Sequence, residues 1–340
     1  MLRASQFVAL LLVAVAITLH NPPAVAQSLS PTGLPKWDST NQVLFFSGNS
    51  PGSVVRAYVD SHQRGADIDI FKDFPGLQEV YADSITAGPD GSTLIDTILE
   101  YGNRNARELI LTYDSEGQLV KSWDPAPQYV EVIAYSKDDD AVFVLGARDL
   151  PPGPYAHNYP LLIEYNRDGR ALKAMAPANL LKDREDSLNS SSQNGQPLLK
   201  VTKDRIYFYA PTNAEVIMCD RDGTVLAYRS FSESIEKIST EDGYHLEQIH
   251  QMDIAENGDL VAELLLSNDD SHKYLMEVVR LSVDTGEAVL VHKASNSGRL
   301  WFVGMKKDDQ YLYLESGRNL YTQSAAGQEP QPLARLTEAR

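Results

Sequence analysis

The chain has 340 residues, 43% of them hydrophobic, and a formal net charge of −17. Acidity of this size argues against binding to nucleic acid or to anionic membrane surfaces, because both require basic patches. An intramolecular disulfide is excluded because Cys219 is the only cysteine, and its apolar surroundings predict a buried thiol. The strand-like positions of Trp123 and Trp301 predict buried indoles.

Residues 1–26 have the features of a cleaved signal peptide. Arg3 supplies a positive start, residues 7–19 form an apolar core, and residues 24–26 read Ala-Val-Ala, an A-x-A cleavage signal. We therefore expect an exported protein, periplasmic or extracellular. No later apolar run is long enough to span a bilayer, so no membrane span is expected after cleavage. Residues 27–34 are predicted to form a flexible lead, and residues 35–337 a single β-propeller domain.

A β-hairpin pattern recurs along that domain. Its clearest copy is ELILTYDSEGQLVKSWDP, residues 108–125, in which two runs of β-forming residues flank a polar turn. The glycine of this turn has counterparts spaced 41 to 63 residues apart, which are Gly65, Gly117, Gly169, Gly223, Gly286 and Gly327. Two further strands are predicted before each hairpin, which gives about four strands per unit.

The six predicted units cover, in chain order, residues 37–71, 81–123, 129–175, 198–228, 252–291 and 300–336. Four-stranded units at this period are typical of β-propeller blades. We therefore predict an all-β, six-bladed β-propeller with four antiparallel strands per blade, while a seventh, degenerate blade is left open. The ring could close by packing of the last blade on the first, or by a strand that the residues before Trp37 add to the last blade. Helical turns are predicted only within residues 177–184 and 232–250.

The order strand, Asp/Asn-Gly turn, strand, Tyr-Asp-x-Asp/Glu-Gly, strand resembles that of the NHL-like and TolB-like six-bladed propellers of exported bacterial proteins. The stretch GLPKWD, residues 33–38, followed by VLFF, residues 43–46, is similar to the first blade of the gluconolactonase family. In that family a Glu just before this stretch is a metal ligand, and this sequence has Thr32 there. The resemblance thus implies a first blade and weakens lactonase chemistry.

The longest predicted connections share one face of the propeller, since second-to-third strand loops and interblade links lie together. They are residues 146–160, 178–196, 232–248 and 267–273. Loops on a rigid scaffold often carry function, so we expect this face to bind a protein, peptide or carbohydrate. Tyr155, His157 and Tyr159, in a Pro-rich loop, are the candidate contacts. The alternative is that these loops are tolerated insertions without a role.

His245, Glu247, His250 and Asp253 have the composition of a metal site, although their spacing is loose and ordinary polar linker residues are the competing interpretation. Calcium or zinc would fit a second hypothesis, a metal-dependent hydrolase or lactonase with its site in the central channel. The sequence lacks the G-x-S-x-G, H-E-x-x-H and phosphate-loop motifs. A non-enzymatic binding protein is therefore favoured, and no catalytic residue is identified.

Overall fold

The computed structural model describes residues 28–29, 36–47, 53–58, 64–102, 105–125, 129–147, 160–177, 188, 193–239, 243–268, 272–295, 300–315 and 319–335, and the structural statements below concern these residues. They form six sheets, each with four antiparallel strands that follow one another in sequence, and one sheet has a fifth, short parallel strand. The all-β, six-bladed β-propeller is confirmed, and each sheet is one blade.

Blades 1 to 3 occupy the first half of the domain. Blade 1 consists of β2 (Lys36–Asp38), β3 (Val43–Ser47), β4 (Ser53–Tyr58) and β5 (Arg64–Asp69). Blade 2 consists of β6 (Leu77–Ala87), β7 (Thr93–Tyr101), β8 (Asn105–Tyr113) and β9 (Leu119–Trp123). Blade 3 consists of β10 (Tyr129–Ser136), β11 (Ala141–Ala147), β12 (Pro160–Asn166) and β13 (Ala171–Pro177).

Blades 4 to 6 complete the ring. Blade 4 consists of β14 (Leu198–Val201), β15 (Arg205–Ala210), β16 (Glu215–Asp220) and β17 (Val225–Ser230). Blade 5 consists of β18 (His245–Ile254), β19 (Leu260–Asn268), β20 (Lys273–Leu281) and β21 (Ala288–Ser295). Blade 6 consists of β22 (Leu300–Met305), β23 (Tyr311–Glu315), β24 (Asn319–Gln323) and β25 (Gln331–Arg335).

Two α-helices are described, α1 (Ile70–Asp73) after blade 1 and α2 (Ser232–Ser239) between blades 4 and 5. Helix α2 confirms the helical turns predicted within residues 232–250, whereas residues 178–184 of the other predicted segment lie outside the described residues. No helix of the described chain is long and apolar enough to cross a membrane.

Five of the six predicted turn glycines have the positive φ that the turn requires, between +76° and +80°. They are Gly117, Gly169, Gly223, Gly286 and Gly327. The prediction for Gly65 was wrong, because this residue lies inside β5. Phe71, predicted to end the same strand, lies in α1, which Asp69 caps by accepting a hydrogen bond from the backbone N–H of Lys72.

Buried apolar side chains form one cluster at each junction between neighbouring blades, and a fully buried side chain of this kind contributes about 1.5–3 kcal/mol. One member from each blade of the junctions 1–2, 2–3, 3–4, 4–5, 5–6 and 6–1 illustrates the clusters, in order Phe45 and Val80, Ile110 and Ile133, Phe143 and Ile217, Tyr209 and Leu264, Val261 and Phe302, and Leu312 and Leu44. Cys219 is buried in the cluster between blades 3 and 4, as predicted.

The ring closes by packing of blade 6 on blade 1. Leu44 of blade 1 lies in one cluster with Val303 and Leu312, and the indole N–H of Trp37 donates to the carbonyl oxygen of Met305, 3.2 Å away. The two-residue strand β1 (Ser28–Leu29) pairs in parallel with β6. These residues therefore extend blade 2, and the alternative in which they add a strand to the last blade is wrong for them.

Polar side chains near the ends of the first strands also link neighbouring blades. Asp38 Oδ2 accepts the backbone N–H of Ala87 at 2.7 Å, and Asp253 Oδ2 accepts that of Met305 at 2.6 Å. Thr86 Oγ1 accepts the backbone N–H of Tyr135 at 3.1 Å in the same manner. Because these contacts repeat at corresponding positions, the first strands are held in register around the axis of the propeller.

Candidate functional site

A cavity of about 450 Å³ lies on the axis of the propeller and is lined by residues from the first strands of all six blades. These strands are therefore the innermost ones, and the cavity is the central channel. Its volume falls in the range of small-molecule sites, about 300–1,000 Å³. The lining reaches Tyr129 and Gln196, at the starts of the inner strands of blades 3 and 4.

The turn that follows β2, Ser39 to Gln42, crosses the other end of the channel and contacts each of the other five blades. Its contacts are Asn41 Nδ2 to Thr86 Oγ1 (3.3 Å) and to Tyr135 O (3.0 Å), Val201 N to Thr40 Oγ1 (3.3 Å), Ser39 to the Asp253 carboxylate, and Gln42 Nε2 to Met305 O (3.3 Å). This turn forms the floor of the channel. The opposite end is where the inner strands begin, and by topology the connections predicted to be long leave the sheets there.

Three inner strands carry a β-bulge at corresponding positions, three residues before Thr86, Ala134 and Asp253. The extra residues are Asp83, Glu131 and His250, and all three line the channel. A bulge places an unpaired residue in a strand and redirects its side chain. The bulges therefore give the channel a ring of ionisable groups from blades 2, 3 and 5.

The wall formed by blades 1 to 3 is acidic. The Lys36 amine donates to the backbone carbonyl of Asp83, and the Glu108 carboxylate accepts the backbone N–H of Val130 at 3.1 Å. Burial, with the charge of Asp83 added, raises the pKa values of Glu108 and Glu131 to about 7. Burial also lowers the pKa of Lys36 to about 8, against the opposing effect of neighbouring carboxylates. Glu108, Glu131 and Lys36 can thus exchange protons near neutral pH.

Asp96 of β7 lies behind that wall. Its side chain is fully buried, and burial raises its pKa well above the ordinary value, helped by the charges of Glu108 and Asp83. Lys36 opposes this effect. The carboxyl groups of Asp83, Asp96, Glu108 and Glu131 thus lie near one another, and those of Asp83 and Asp96 interact with the amine of Lys36. We call these four residues the acidic pocket.

The opposite wall is formed by blades 4 and 5. There His250 lines the channel, and burial lowers its pKa, which favours the neutral imidazole. The buried Lys200 donates to the backbone carbonyl of Ile254 at 2.7 Å and pairs with Glu256 at 3.3 Å. The positive charge of Lys200 on this wall is therefore already paired with groups of the protein.

The four predicted metal ligands lie along one strand, β18, and do not share one site. His245 Nε2 lies 3.1 Å from Glu247 Oε1 at the exposed start of the strand. His250 lies in the channel, and Asp253 is buried at the junction with blade 6. Eight residues of strand separate His245 from Asp253, roughly 26 Å. The described residues contain no group of three or more His, Cys, Asp or Glu side chains placed to hold a metal ion.

The predicted ligand contacts Tyr155, His157 and Tyr159 lie outside the described residues and stay a prediction. Sequence reasoning missed the acidic pocket and Lys36. A signal was present, because Asp83, Asp96 and Glu131 each interrupt an otherwise apolar β-strand pattern, as in TLIDTILEY. A carboxylate at such a position is expensive to bury and therefore indicates a special role.

No protein-family model matches the sequence, and no curated protein sequence matches it. Solved structures with a similar fold include a member of the DUF4221 family from Bacteroides vulgatus, with 12% identity, a TM-score of 0.47 and coverage of 81% of this chain and 84% of that one. A luciferin-regenerating enzyme follows, with 12% identity, a TM-score of 0.41 and coverage of 90% and 87%. An α-L-arabinanase from Penicillium chrysogenum has 10% identity, a TM-score of 0.44 and coverage of 74% and 80%. Similarity at this level concerns the β-propeller fold alone.

Proposed function

We propose that the protein is an exported β-propeller that binds a ligand at the channel end opposite the Ser39–Gln42 turn. The observation that carries this proposal is the channel itself, a cavity of about 450 Å³ with a floor at one end and a ring of ionisable side chains around it. The ligand is a protein, peptide or carbohydrate, one group of which enters the channel. Non-enzymatic binding is the leading form of the proposal.

The face on which the ligand arrives is the one with the long connections. The cavity reaches the first residues of the inner strands, and the links that enter these strands belong to that face. A ligand seated there can contact both the channel wall and the loops. This supports the predicted binding face, and the aromatic loop of Tyr155, His157 and Tyr159 is proposed to contribute to it.

Export and membership of the NHL-like or TolB-like propellers belong to the same proposal. The signal-peptide features of residues 1–26 support export. The repeated hairpin with glycine at the turn supports the NHL-like or TolB-like assignment.

A channel-filling variant tests the proposed site. His250→Trp adds an indole to the channel wall, and Tyr228→Trp places the same side chain on the exposed outer strand β17 as the control. Thermal shifts are measured with a defined panel of primary amines, short basic and acidic peptides, and neutral oligosaccharides. A bound ligand raises the melting temperature by mass action. We expect at least one panel member to stabilise the wild type and Tyr228→Trp but not His250→Trp.

The proposal is wrong if His250→Trp responds to every panel member as the wild type does. A ligand that stabilises all three proteins equally binds elsewhere. Deletion of residues 151–159 then separates the two parts of the face. Weaker binding in the deletion variant assigns a contribution to the loop, and unchanged binding restricts the site to the channel.

A second candidate function is a hydrolase that uses acid–base chemistry in the same channel. It is favoured by the carboxyl groups of Glu108 and Glu131, whose pKa values of about 7 suit proton transfer at neutral pH. Turnover of nitrophenyl glycosides or esters that Glu131→Gln abolishes would establish it. Binding of the same compounds without turnover would favour the non-enzymatic binding protein over the hydrolase.

A further inference from the structure

The carboxyl group of Asp96 is buried without a hydrogen bond. The residue is 0% exposed, and neither Oδ1 nor Oδ2 has a hydrogen-bond partner. Buried polar groups are almost always paired, and an unpaired one costs about 1–3 kcal/mol or more. Asp96 therefore destabilises the fold as it stands, and its presence calls for a reason other than stability.

The corresponding residue of blade 5 shows what a structural acid does at this position. Glu263 accepts the backbone N–H of Phe302 in blade 6 at 3.0 Å and so links two blades. The strand pairing places Asp96 and Glu263 at the same position, two residues after the partners of Thr86 and Asp253. In the other four blades this position holds Phe45, Leu145, Tyr209 and Leu314. Four of the six blades therefore have no acidic residue at this position.

Asp96 has no such structural task, because two N–H groups of the inner strand of blade 3 already have side-chain acceptors from blade 2. Ser84 Oγ accepts the N–H of Ile133 at 2.9 Å, and Glu108 accepts that of Val130 at 3.1 Å. Blade 3 is thus attached to blade 2 without Asp96. A link between blades does not account for this carboxyl group.

Asp96 lies next to the channel but is not itself one of the residues that line the cavity. It shares a strand face with Ile98 and pairs with Ser84, and both of these residues line the cavity. The charges that act on it are those of Asp83, Glu108, Glu131 and Lys36. The acidic pocket therefore has more carboxyl groups than compensating cations, with its most buried member unpaired.

We infer that the acidic pocket binds the protonated amine of a ligand that enters the channel. This inference rests on the proposed function and names the chemistry of the group that enters. A primary ammonium carries one positive charge and three N–H donors, which suits several carboxylate oxygens around one point. An inorganic metal ion fits less well, because the described residues show no ligand cluster for one.

Amine binding depends on pH in a defined direction. The titratable groups that interact with Glu108 or Glu131 are Asp83 from β6, Asp96 from β7 and Asp124 after β9, while Lys36 from β2 interacts with Asp83 and Asp96. Below about pH 7 Glu108 and Glu131 take up protons, and the pocket loses the charge that attracts the ammonium. Affinity therefore falls as the pH falls, and binding near neutral pH releases protons.

The test uses n-butylammonium as the probe, with n-butanol as its neutral counterpart and calcium chloride as the inorganic competitor. Calorimetry on the mature protein at about pH 8 should show millimolar binding of n-butylammonium and at least about tenfold weaker binding of n-butanol. At about pH 5.5 the n-butylammonium affinity should fall about tenfold. Displacement of the probe by equimolar calcium would overturn the inference in favour of a metal site.

Two variants each replace one carboxyl group of the pocket by an amide, Asp96→Asn and Glu131→Gln. Each should weaken n-butylammonium binding about tenfold, while Asp204→Asn makes the same carboxyl-to-amide change at an exposed turn of blade 4 and should change nothing. Asp96→Asn should melt no lower than the wild type, since it removes a buried carboxyl group that makes no hydrogen bond. Wild-type affinity in both pocket variants would overturn the inference, and so would a lower melting temperature of Asp96→Asn, which would make Asp96 structural.

The two proposals fail in distinguishable ways. If neutral oligosaccharides bind, His250→Trp abolishes their binding, and n-butylammonium does not bind, then the amine inference is wrong and the channel site stands. If His250→Trp changes the binding of none of the probes, both proposals are wrong.

Discussion

The backbone N–H of Val201 in blade 4 donates to Oγ1 of Thr40 in blade 1, 3.3 Å away, at the floor of the central channel. The two residues are 161 positions apart in sequence, so this hydrogen bond forms only when the ring is complete. Thr40→Val keeps the shape of the side chain and leaves the N–H of Val201 without its acceptor. Such a loss costs about 1–3 kcal/mol.

Urea unfolding, followed by tryptophan fluorescence, measures this change. Thr224→Val is the matched control, because Thr224 is exposed in a hairpin turn of blade 4. We expect a lower free energy of unfolding for Thr40→Val only. Equal midpoints for the two variants would mean that water replaces Thr40 at no cost.

The junction between blades 6 and 1 depends on the absence of a side chain at Gly304. A Cβ atom there would lie 2.0 Å from Cδ1 of Trp37. Gly304→Ala should therefore displace the indole that donates to Met305 and destabilise the protein by about 2 kcal/mol or more. Gly327→Ala serves as the control, since its Cβ meets nothing within 4 Å and only the φ of +76° opposes it, at about 1 kcal/mol.

A double variant identifies the cause of that loss. In Trp37→Leu/Gly304→Ala the smaller side chain makes room for the new methyl group. The double variant should therefore lose less stability than the two single variants lose together. Strict additivity in chemical denaturation would show that Gly304 is required for its backbone and not for contact with Trp37.

The blades could be predicted from the sequence because the strands of each blade are neighbours along the chain. Gly117 and its counterparts fix hairpin turns from neighbouring residues alone, and the repeat then implies a ring. Gly65 was misassigned because the turn pattern around it is less regular. Trp301 was predicted to be buried from its strand-like position, and the structure shows it 47% exposed, whereas the same prediction for Trp123, which is 8% exposed, is confirmed.

The channel could not be predicted in the same way, since its features depend on pairing between distant residues. A bulge at Asp83 or Glu131 is a matter of register, which the strand pattern does not contain. The unpaired state of Asp96 follows from the fact that Ser84 occupies the N–H of Ile133. An isolated acid in an apolar strand indicates where to look, but its partners are set by the adjacent blade.

Export can be checked directly on the expressed protein. Cleavage of the signal peptide after Ala26 predicts a mature chain that begins at Gln27. Intact-mass measurement of protein from the cell envelope or medium should give that chain, and Ala24→Arg should block the cleavage. A mass that includes residues 1–26 in the wild type would make this segment an uncleaved anchor.

The thiol of Cys219 should be unreactive in the native protein. Burial raises its pKa to about 12, so almost no thiolate is present at neutral pH. Labelling with a maleimide should be negligible without denaturant and should reach one group per chain in urea. Rapid labelling of the native protein would mean that the junction between blades 3 and 4 opens readily.

Glu263 makes the stability of the fold depend on pH. Burial raises its pKa to about 7 from the ordinary value of 4.5, so the folded protein holds this proton more tightly than the unfolded chain. The stabilisation that results is complete below about pH 4.5 and is lost as the pH rises to about 7. Glu263→Gln cannot ionise, and its amide oxygen still accepts the N–H of Phe302.

The variant should therefore be more stable than the wild type at about pH 8, by roughly 1 kcal/mol or more, and should show no such gain near pH 4.5. Guanidinium unfolding at several pH values gives both free energies. Glu116→Gln, in an exposed hairpin turn, should show no such pH-dependent gain. A difference between Glu263→Gln and the wild type that stayed constant across this range would show that Glu263 does not titrate there.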